Sequence, residues 1–243
     1  MTTDGIHCAD CLLRLPDVPS NTVDLVFADL PYGRTQNDWD KLIPMDKLWT
    51  ELGRVCKPAA PMIFTAMQPF AAMLVCSKLE WFRYEIVWKK NKSRGFLNAN
   101  KQPLRIHETI QVFYREQPDY VPQMTFGHKP VHSYIKHTSD GTNYGKTKRG
   151  ISGGGSTSRY PTSVLEIPVV NNRDQKRVNS TQKPEELAAW FIRTYTKPGD
   201  LVLDPTIGSG STMAAAKRSC RRHLGFDTDP KQVESAIALL AGI

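Results

Sequence analysis

Four consecutive residues, Asp29-Leu30-Pro31-Tyr32, could hold and orient an amino group for chemistry. The Asp29 carboxylate can accept one N–H of an amine and the Leu30 carbonyl the other, because a residue that precedes proline is biased to an extended conformation. The Tyr32 ring offers a face on which a base can stack. Moving a methyl group from a sulfonium to an amino nitrogen needs this orientation and no enzyme nucleophile. Taken alone, the four residues also fit an ordinary turn at the end of a strand.

A second segment could bind an adenosine cofactor, and it reads Asp204-Pro205-Thr206-Ile207-Gly208-Ser209-Gly210-Ser211-Thr212. Gly208 and Gly210 permit a close approach of backbone to a ligand, and the helix that follows offers free N–H groups to a carboxylate. Asp227, at the end of the next strand, is placed to accept hydrogen bonds from ribose hydroxyls. A Walker-type phosphate loop is disfavoured because no Gly-Lys-Ser/Thr follows. The glycine pattern by itself also fits a tight strand-to-helix turn.

Short apolar runs that alternate with helical patterns must position both segments. Strands are predicted at residues 23–27, 62–65, 84–88, 109–114, 201–203 and 223–226, and helices at 45–56, 69–79 and 184–195, through 214–216 and from 230 onward. This order is typical of an α/β fold with a doubly wound, mostly parallel sheet. Ligands of such sheets bind beyond the carboxyl ends of the strands, where both segments are expected to lie.

The character of the sequence changes between residues 115 and 180, where apolar periodicity fades and Gly, Ser, Thr, Asn, Lys and Arg dominate. The glycine-rich run 150–156 is predicted to be a loop or linker. We interpret residues 115–180 as a basic insertion within a single domain of residues 1–243.

Together the two segments resemble the DNA amino-methyltransferases, whose catalytic tetrapeptide is Asp/Asn/Ser-Pro-Pro-Tyr/Phe/Trp and whose cofactor loop reads Asp-Pro-Phe-x-Gly-Ser-Gly-Thr-Thr. The tetrapeptide precedes the loop, as in the circularly arranged β class. Two further elements of that class match Thr181-Gln182-Lys183-Pro184 and Ala9-Asp10-Cys11-Leu12. The resemblance extends from about residue 7 to residue 241, and the layout is similar to compact phage or prophage adenine methyltransferases.

The resemblance implies a Rossmann-like, S-adenosylmethionine-dependent methyltransferase fold. It also implies that the chain methylates N6 of adenine in DNA, at specific sites and on a base rotated out of the duplex. The catalytic role falls to Asp29, Leu30, Pro31 and Tyr32. The cofactor S-adenosylmethionine is expected at Asp10, Cys11, Asp29, Thr181, Lys183, Asp204, Thr206, Gly208, Gly210, Ser211, Thr212 and Asp227.

Departures from the family pattern occur in both segments. Leu30 replaces the first proline of the tetrapeptide, and Thr206 replaces the usual aromatic residue of the cofactor loop. Because position 30 acts through its carbonyl, we expect activity to survive. The threonine is expected to weaken packing around the cofactor.

The formal charge of +8 and a pI near 9.3 favour an anionic partner, which the resemblance makes double-stranded DNA. The stretch 89–105 lacks acidic residues and fits either a track for the DNA backbone or a solvated basic loop. Residues 115–180 are interpreted as the target-recognition region. A homodimer and a cognate restriction endonuclease are further candidate partners. The residues expected to bind DNA are Lys89, Lys92, Arg94, Lys146, Lys148 and Arg149.

Composition and cysteine usage narrow the classes of function. Five scattered cysteines argue against a disulfide framework and for a reducing compartment. Cys8 and Cys11 lack a second Cys/His pair, so they are interpreted as ordinary thiols and no metal site is predicted. Neither a signal peptide nor an apolar stretch of membrane length is found, so a soluble, cytoplasmic protein is expected. Methylation at carbon-5 of cytosine is set aside because it needs a cysteine nucleophile after a proline.

Three other activities were weighed against adenine methylation. The same transfer to N4 of cytosine stays open, although an aspartate at position 29 resembles the adenine-specific members. A catalytically inactive DNA-binding remnant, disabled by Leu30, also stays open. An RNA methyltransferase is disfavoured because those with a similar tetrapeptide usually place the cofactor loop first.

His107 and Glu108, at the start of a strand, fit either a structural contact with each other or a catalytic pair.

Overall fold

The computed structural model describes residues 4–33, 40–136, 151–171 and 182–243. The chain forms a larger compact unit, Met1–Val121 with Ser163–Ile243, and a smaller one, Pro122–Thr162. In chain order the helices and strands are β1 (Gly5–Cys8), α1 (Cys11–Arg14), β2 (Leu25–Ala28), α2 (Met45–Val55), β3 (Met62–Ala66), α3 (Phe70–Ser77), β4 (Phe82–Arg94), β5 (Arg105–Phe113), β6 (Tyr134–Lys136), β7 (Ile151–Gly153), β8 (Val164–Glu166), α4 (Glu185–Tyr195), β9 (Leu201–Asp204), α5 (Ser211–Arg218), β10 (Arg222–Asp227) and α6 (Pro230–Ala241).

Eight strands of the larger unit form one sheet in the order β1-β10-β9-β2-β3-β5-β4-β8. The first five strands in this order, from β1 to β3, run parallel to one another. Strand β5 runs antiparallel to β3 and β4, and β8 is parallel to β4. The mostly parallel sheet that was predicted is confirmed, and the hairpin of β4 and β5 ends the series of parallel strands on one side.

Both faces of the sheet are buried under helices, because side chains of the central strands alternate between two hydrophobic cores. On one face, Val26 and Ala28 of β2 pack in a cluster that includes residues of α1, α2 and α3. On the other face, Leu25 and Phe27 pack in a cluster with residues of α4 and α5. A third cluster joins α5 to α6. This layering confirms the doubly wound α/β class.

Five short elements of the described residues, β1, α1, β6, β7 and β8, were not predicted, because three or four residues are too few to show a period. Strands β4 and β5 are also longer than predicted, since they continue as polar residues past the core. Lys89, Lys92 and Arg94 therefore lie on β4, and the alternative of a solvated loop is wrong for residues 89–94, whereas residues 95–104 form an exposed turn.

The smaller unit contains a two-stranded antiparallel sheet of β6 and β7, and Thr125 forms an isolated β-bridge with Arg159. The prediction of a loop for residues 150–156 is wrong at Ile151–Gly153, which form β7. Pairing with β6 supplies backbone hydrogen bonds that local composition does not reveal. In the part of the chain that the structure describes, no helix has the length and apolar character needed to cross a membrane.

Candidate active site

A cavity of about 840 Å³ lies beyond the carboxyl ends of β1, β2, β9 and β10, because the residues that follow these strands line it. This is the edge at which parallel α/β sheets bind ligands. The tetrapeptide and the cofactor loop predicted from the sequence therefore share one cavity. The predicted site residues that line it are Asp10, Cys11, Asp29, Leu30, Pro31, Tyr32, Lys183, Asp204, Thr206, Gly208, Ser211, Thr212 and Asp227.

The Asp29 carboxylate, at the end of β2, accepts hydrogen bonds from three side chains. Its Oδ1 atom accepts from Thr65 Oγ1 at 2.5 Å and from the Tyr32 hydroxyl at 2.6 Å. Its Oδ2 atom accepts from the Lys183 ammonium at 2.5 Å. A carboxylate offers about four lone-pair sites, so these contacts leave capacity for one N–H of a ligand. The three donors fix the direction in which that acceptor points.

Lys183, which was assigned to the cofactor from the sequence, lies between two carboxylates. Its Nζ atom contacts Asp29 and is 3.5 Å from Glu108 Oε2, while Glu108 Oε1 accepts a hydrogen bond from Lys90. The ion pairs of Glu108 are thus with two lysines, not with His107. The chain brings two carboxylates and two ammonium groups together beside the catalytic strand.

Burial and charge set the protonation of these lysines. Burial lowers the pKa of Lys183, but Asp29 and Glu108 outweigh this effect, and the net result is a raised pKa. Lys183 is therefore a cation at neutral pH. Burial lowers the pKa of Lys90, and the adjacent Glu108 offsets only part of that change.

The Tyr32 ring is held in place from two sides. It stacks on Phe70 with 5.0 Å between ring centroids and 28° between ring planes, while its hydroxyl donates to Asp29. Burial raises the pKa of Tyr32 well above its ordinary value, and the Asp29 charge raises it further, so the hydroxyl keeps its proton. The ring plane is fixed, and stacking of a base on it stays a prediction.

The buried side chain of Leu30 belongs to the same core cluster as Val26 and Ala28, although it also borders the cavity. The leucine that replaces the family's proline is therefore accommodated by apolar packing. Because this leucine fits the core, the backbone of the tetrapeptide stays at the carboxyl edge of the sheet.

The cofactor loop is tied to the catalytic strand through Thr206. Its backbone N–H donates to Asp204 Oδ1 at 3.0 Å, and its Oγ1 donates to the main-chain oxygen of Asp29 at 3.2 Å. The residue that departs from the family pattern thus makes a hydrogen bond that the phenylalanine of that pattern cannot make. The predicted weakening of cofactor packing stays a prediction.

Asp227 fixes the shape of the glycine turn. Its two oxygens accept hydrogen bonds from the backbone N–H groups of Gly208 and Asp229, each at 2.9 Å. Each carboxylate oxygen keeps a further lone pair, so the expected contact with ribose hydroxyls remains open to it. No side chain caps the N-terminus of α5 within the described residues, and its first N–H groups fit a ligand carboxylate.

Asp204 is buried at the end of β9, and burial raises the pKa of its carboxyl group to about 7. Hydrogen bonds from the Thr206 backbone and the Thr212 side chain oppose this change only in part. Nearby Asp29 and Asp227 raise the pKa further. Asp204 is therefore poised between its neutral and charged forms near neutral pH.

The segment after β1 forms the far wall of the cavity. Asp10 caps α1 by accepting a hydrogen bond from the Leu12 backbone at 2.8 Å. Burial raises the pKa of the adjacent Cys11 thiol to about 12, so this sulfur is a neutral wall atom and not a nucleophile. Both residues contact the cavity that was expected to hold the cofactor.

One described residue assigned to the cofactor, Gly210, does not border the cavity. Gly210 adopts a φ of 80°, and a Cβ atom there would lie 2.6 Å from the Ala236 Cβ atom. The glycine is thus required by the close packing of α5 on α6, and it does not line the cavity. Thr181 lies outside the described residues.

Only some of the predicted DNA-binding residues border the cavity. Arg94 borders the cavity, whereas Lys89 forms an ion pair with Glu166 at 2.8 Å and Lys92 is exposed without bordering the cavity. Lys146, Lys148 and Arg149 lie outside the described residues.

Thr65 is a residue of the site that the sequence analysis does not name. It lies near the end of a strand that was predicted correctly, so its place beside Asp29 could have been inferred from two adjacent parallel strands. Lys90 and Arg105 are predicted only as members of the basic stretch 89–105, and Glu108 only as a candidate partner of His107. Their place at the cavity depends on the register of the β4–β5 hairpin. That register is a tertiary property.

Charge is distributed unevenly along the cavity. Asp10, Asp227 and Asp204 follow or end β1, β10 and β9, on one side of β2. On the other side, β4 and β5 contribute the basic residues Lys90, Arg94 and Arg105 and one acid, Glu108. Asp29, which follows β2, lies between the acidic and the mainly basic end. The cavity can therefore hold a cationic ligand and an anionic ligand side by side, with Asp29 at their junction.

Comparison with known proteins identifies similar chains. A family model described as DNA methylase matches residues 23–238. The DNA adenine methyltransferase YhdJ of Escherichia coli (strain K12) is 28% identical over 256 residues, which cover 97% of this chain and 81% of that protein.

Two solved structures share the fold. The PvuII DNA methyltransferase, described as cytosine-N4-specific, has a TM-score of 0.68 at 17% identity and covers 98% of this chain and 86% of its own. The M1.HpyAVI–SAM complex has a TM-score of 0.62 at 19% identity and covers 96% of this chain and 98% of its own. At such identities the likeness establishes the fold alone.

Proposed function

We propose a specific activity for this chain, which belongs to the DNA methylase family: it transfers a methyl group from S-adenosylmethionine to N6 of adenine at specific sites in DNA. Membership confirms the resemblance to the DNA amino-methyltransferases. One observation carries the proposal, namely that Asp29 and the loop 204–212 border a single cavity.

The acidic end of the cavity fits S-adenosylmethionine. Asp10, Asp204 and Asp227 suit a ligand that carries a sulfonium and an ammonium group, and the uncapped N-terminus of α5 suits its carboxylate. Asp227 also has lone pairs for ribose hydroxyls. When bound, this cofactor supplies an electrophilic methyl group on a positively charged sulfur.

The residues of the chain orient the acceptor. Asp29 accepts one N–H of the amino group and the Leu30 carbonyl accepts the other, which exposes the nitrogen lone pair. The Asp29 charge also stabilises the positive charge that develops on the nitrogen during alkylation, and its carboxylate can accept the proton that the methylated nitrogen then loses. Lys183 and Thr65 keep the carboxylate in one orientation, so that the acceptor is preorganised.

Adenine is favoured over cytosine by two observations. The tetrapeptide begins with aspartate, as in the adenine-specific members that it resembles, and YhdJ is a DNA adenine methyltransferase. The PvuII enzyme has the same fold with cytosine-N4 specificity. The experiment must therefore distinguish methylation of cytosine N4 from methylation of adenine N6.

The test uses the full chain, labelled S-adenosylmethionine and unmethylated DNA of mixed sequence. Nucleoside analysis of the product identifies the modified base, and methylation-sensitive sequencing maps the site. We expect N6-methyladenine at a defined sequence. N4-methylcytosine would transfer the proposal to the rival activity, and DNA binding without methyl transfer would indicate an inactive remnant.

A variant pair links the activity to the site. Asp29→Ala is expected to abolish transfer while S-adenosylmethionine still binds, because the carboxylate contacts the amine and is one of several cavity acids. Asp119→Ala is the matched control, since Asp119 is exposed and does not border the cavity. Turnover by Asp29→Ala at the wild-type rate would exclude the assigned role. A homodimer and a paired restriction endonuclease stay predictions.

A further inference from the structure

The turn between β4 and β5 presents two large apolar side chains to solvent. Phe96 is 67% exposed and Leu97 is fully exposed, at 100%. The turn is nevertheless ordered by backbone hydrogen bonds, in which Asn98 N donates to Gly95 O at 3.0 Å and Ala99 N donates to Phe96 O at 3.1 Å. Gly95 has a φ of 93°, which starts the turn in a conformation that favours glycine. We call residues 95–104 the hairpin turn.

The hairpin turn connects two residues that border the cavity. Strand β3 ends at Ala66, opposite Thr109, whereas β4 and β5 continue to pair as far as Arg94 and Arg105. The hairpin thus projects beyond the sheet edge that carries the site. Arg94 and Arg105 both border the cavity, and Leu97 follows Arg94 by three residues. The Cα atoms of Arg94 and Leu97 are therefore at most about 11 Å apart.

The charged residues that flank the two apolar side chains in the sequence are all basic. Residues 86–107 contain no Asp or Glu, while Lys92, Arg94, Lys101 and Arg105 flank the turn. This pattern is complementary to the phosphates of a nucleic acid. A second copy of the chain is a poorer partner, because the chain carries a net charge of +8 and its contact would bring like charges together.

We propose that the hairpin turn enters the DNA duplex beside the target base, where Phe96 and Leu97 occupy the space that the extruded base leaves. The inference rests on the proposed function. Apolar side chains inserted between base steps unstack them and stabilise a distorted duplex. Extrusion of a base costs the free energy of unpairing and unstacking. Side chains that occupy the vacated position lower that cost. Flanking cations hold the adjacent backbone during the exchange.

The experiment compares wild type, the double variant Phe96→Ala/Leu97→Ala, and Leu79→Ala as a matched control. Leu79 is 65% exposed and lies outside the hairpin turn, so its removal tests the loss of an exposed leucine elsewhere on the same unit. The substrates are a 30-base-pair duplex that carries the mapped methylation site and the same duplex with an abasic position opposite the target base. Thermal unfolding verifies that each variant is folded.

We expect kcat/KM of the double variant on the intact duplex to fall on the order of ten-fold or more, a loss of about 1.4 kcal/mol or more in transition-state stabilisation. On the abasic duplex, where extrusion is cheap, the variant should approach wild type. The Leu79→Ala control should match wild type on both substrates.

Three results would overturn the proposal while leaving the proposed function intact. Wild-type activity of the double variant on the intact duplex would exclude a role for the turn in extrusion. Equal losses on both duplexes would indicate a simple surface contact with DNA. A change of solution mass on mutation would instead identify a second copy as the partner, and failure of wild type to methylate any DNA would reject the proposed function itself.

Discussion

The ammonium of Lys183 lies 2.5 Å from Oδ2 of Asp29, although 154 positions separate the two residues in the chain. Lys183 precedes α4 and Asp29 follows β2, so the contact joins two distant parts of the larger unit. The contact places the lysine at the carboxylate that is proposed to orient the amine, on the side that also holds Glu108. The contact therefore predicts a role on the acceptor side for a residue that the family pattern associates with the cofactor.

Replacing Lys183 with methionine separates these two roles. The change removes the charge but keeps much of the side-chain length, so Asp29 loses a donor and its fixed orientation. We expect the single-turnover rate at saturating cofactor to fall by roughly 10- to 100-fold, with a smaller change in cofactor affinity. Rapid-quench assays and calorimetry measure the two quantities.

Lys183→Arg is the matched variant, because it keeps the charge with a different geometry. It should recover part of the lost rate. A loss confined to cofactor affinity, with an unchanged rate at saturation, would support the cofactor role that the sequence suggested.

Two substitutions of Tyr32 separate the contribution of its ring from that of its hydroxyl group. Tyr32→Phe keeps the ring on Phe70 and removes one of three hydrogen bonds to Asp29, so transfer should slow by less than about ten-fold. Tyr32→Ala also removes the ring, and DNA binding and turnover should both fall further, since stacking contributes about 1–3 kcal/mol per base. Steady-state kinetics with the mapped duplex give the comparison. Equal losses in the two variants would show that the ring does not contact the base.

Asp204 should make stability depend on pH. Its folded pKa of about 7 exceeds its ordinary value of 3.8, so the folded protein binds more protons between these two pH values. Its contribution to the free energy of unfolding is therefore greatest below pH 4, falls as pH rises toward 7, and is constant above. Asp204→Asn keeps the shape of the side chain and removes this dependence.

Urea unfolding of both proteins from pH 4 to pH 8 isolates the effect of Asp204, because groups such as His223 titrate in both. The difference in unfolding free energy, wild type minus variant, should decrease by a few kcal/mol over this range. A difference that does not vary with pH would show that the buried carboxyl keeps an ordinary pKa.

Gly210 should be needed for packing and not for contact with the cofactor. Gly210→Ala would place a Cβ atom 2.6 Å from Ala236 Cβ and would strain a backbone with a φ of 80°. We expect a loss of about 1–3 kcal/mol in the free energy of unfolding. Gly242→Ala is the control, because the nearest atom to its new Cβ lies 3.6 Å away, and it should be close to neutral. Chemical denaturation measures both variants. Full stability of Gly210→Ala would contradict the packing argument.

The sequence by itself determined the α/β class, the long helices and central strands, and the two segments at the carboxyl edge. These features follow from local periodicity and from the rule that consecutive parallel strands end at the same edge. Asp29 and Asp204 could therefore be expected together before any coordinates were known. Thr65 belongs to the same group, since it lies near the end of β3, the strand that pairs with β2.

Only the tertiary structure decided which polar side chains meet. The contacts of Lys90, Glu108 and Lys183 depend on the register of the β4–β5 hairpin and on the chain path into α4, and neither leaves a period in the sequence. The requirement for Gly210 likewise arises from the close approach of α6, which is 20 residues later in the chain. Ion pairs and helix contacts between distant segments are set by packing, because a local window of sequence contains only one of the two partners.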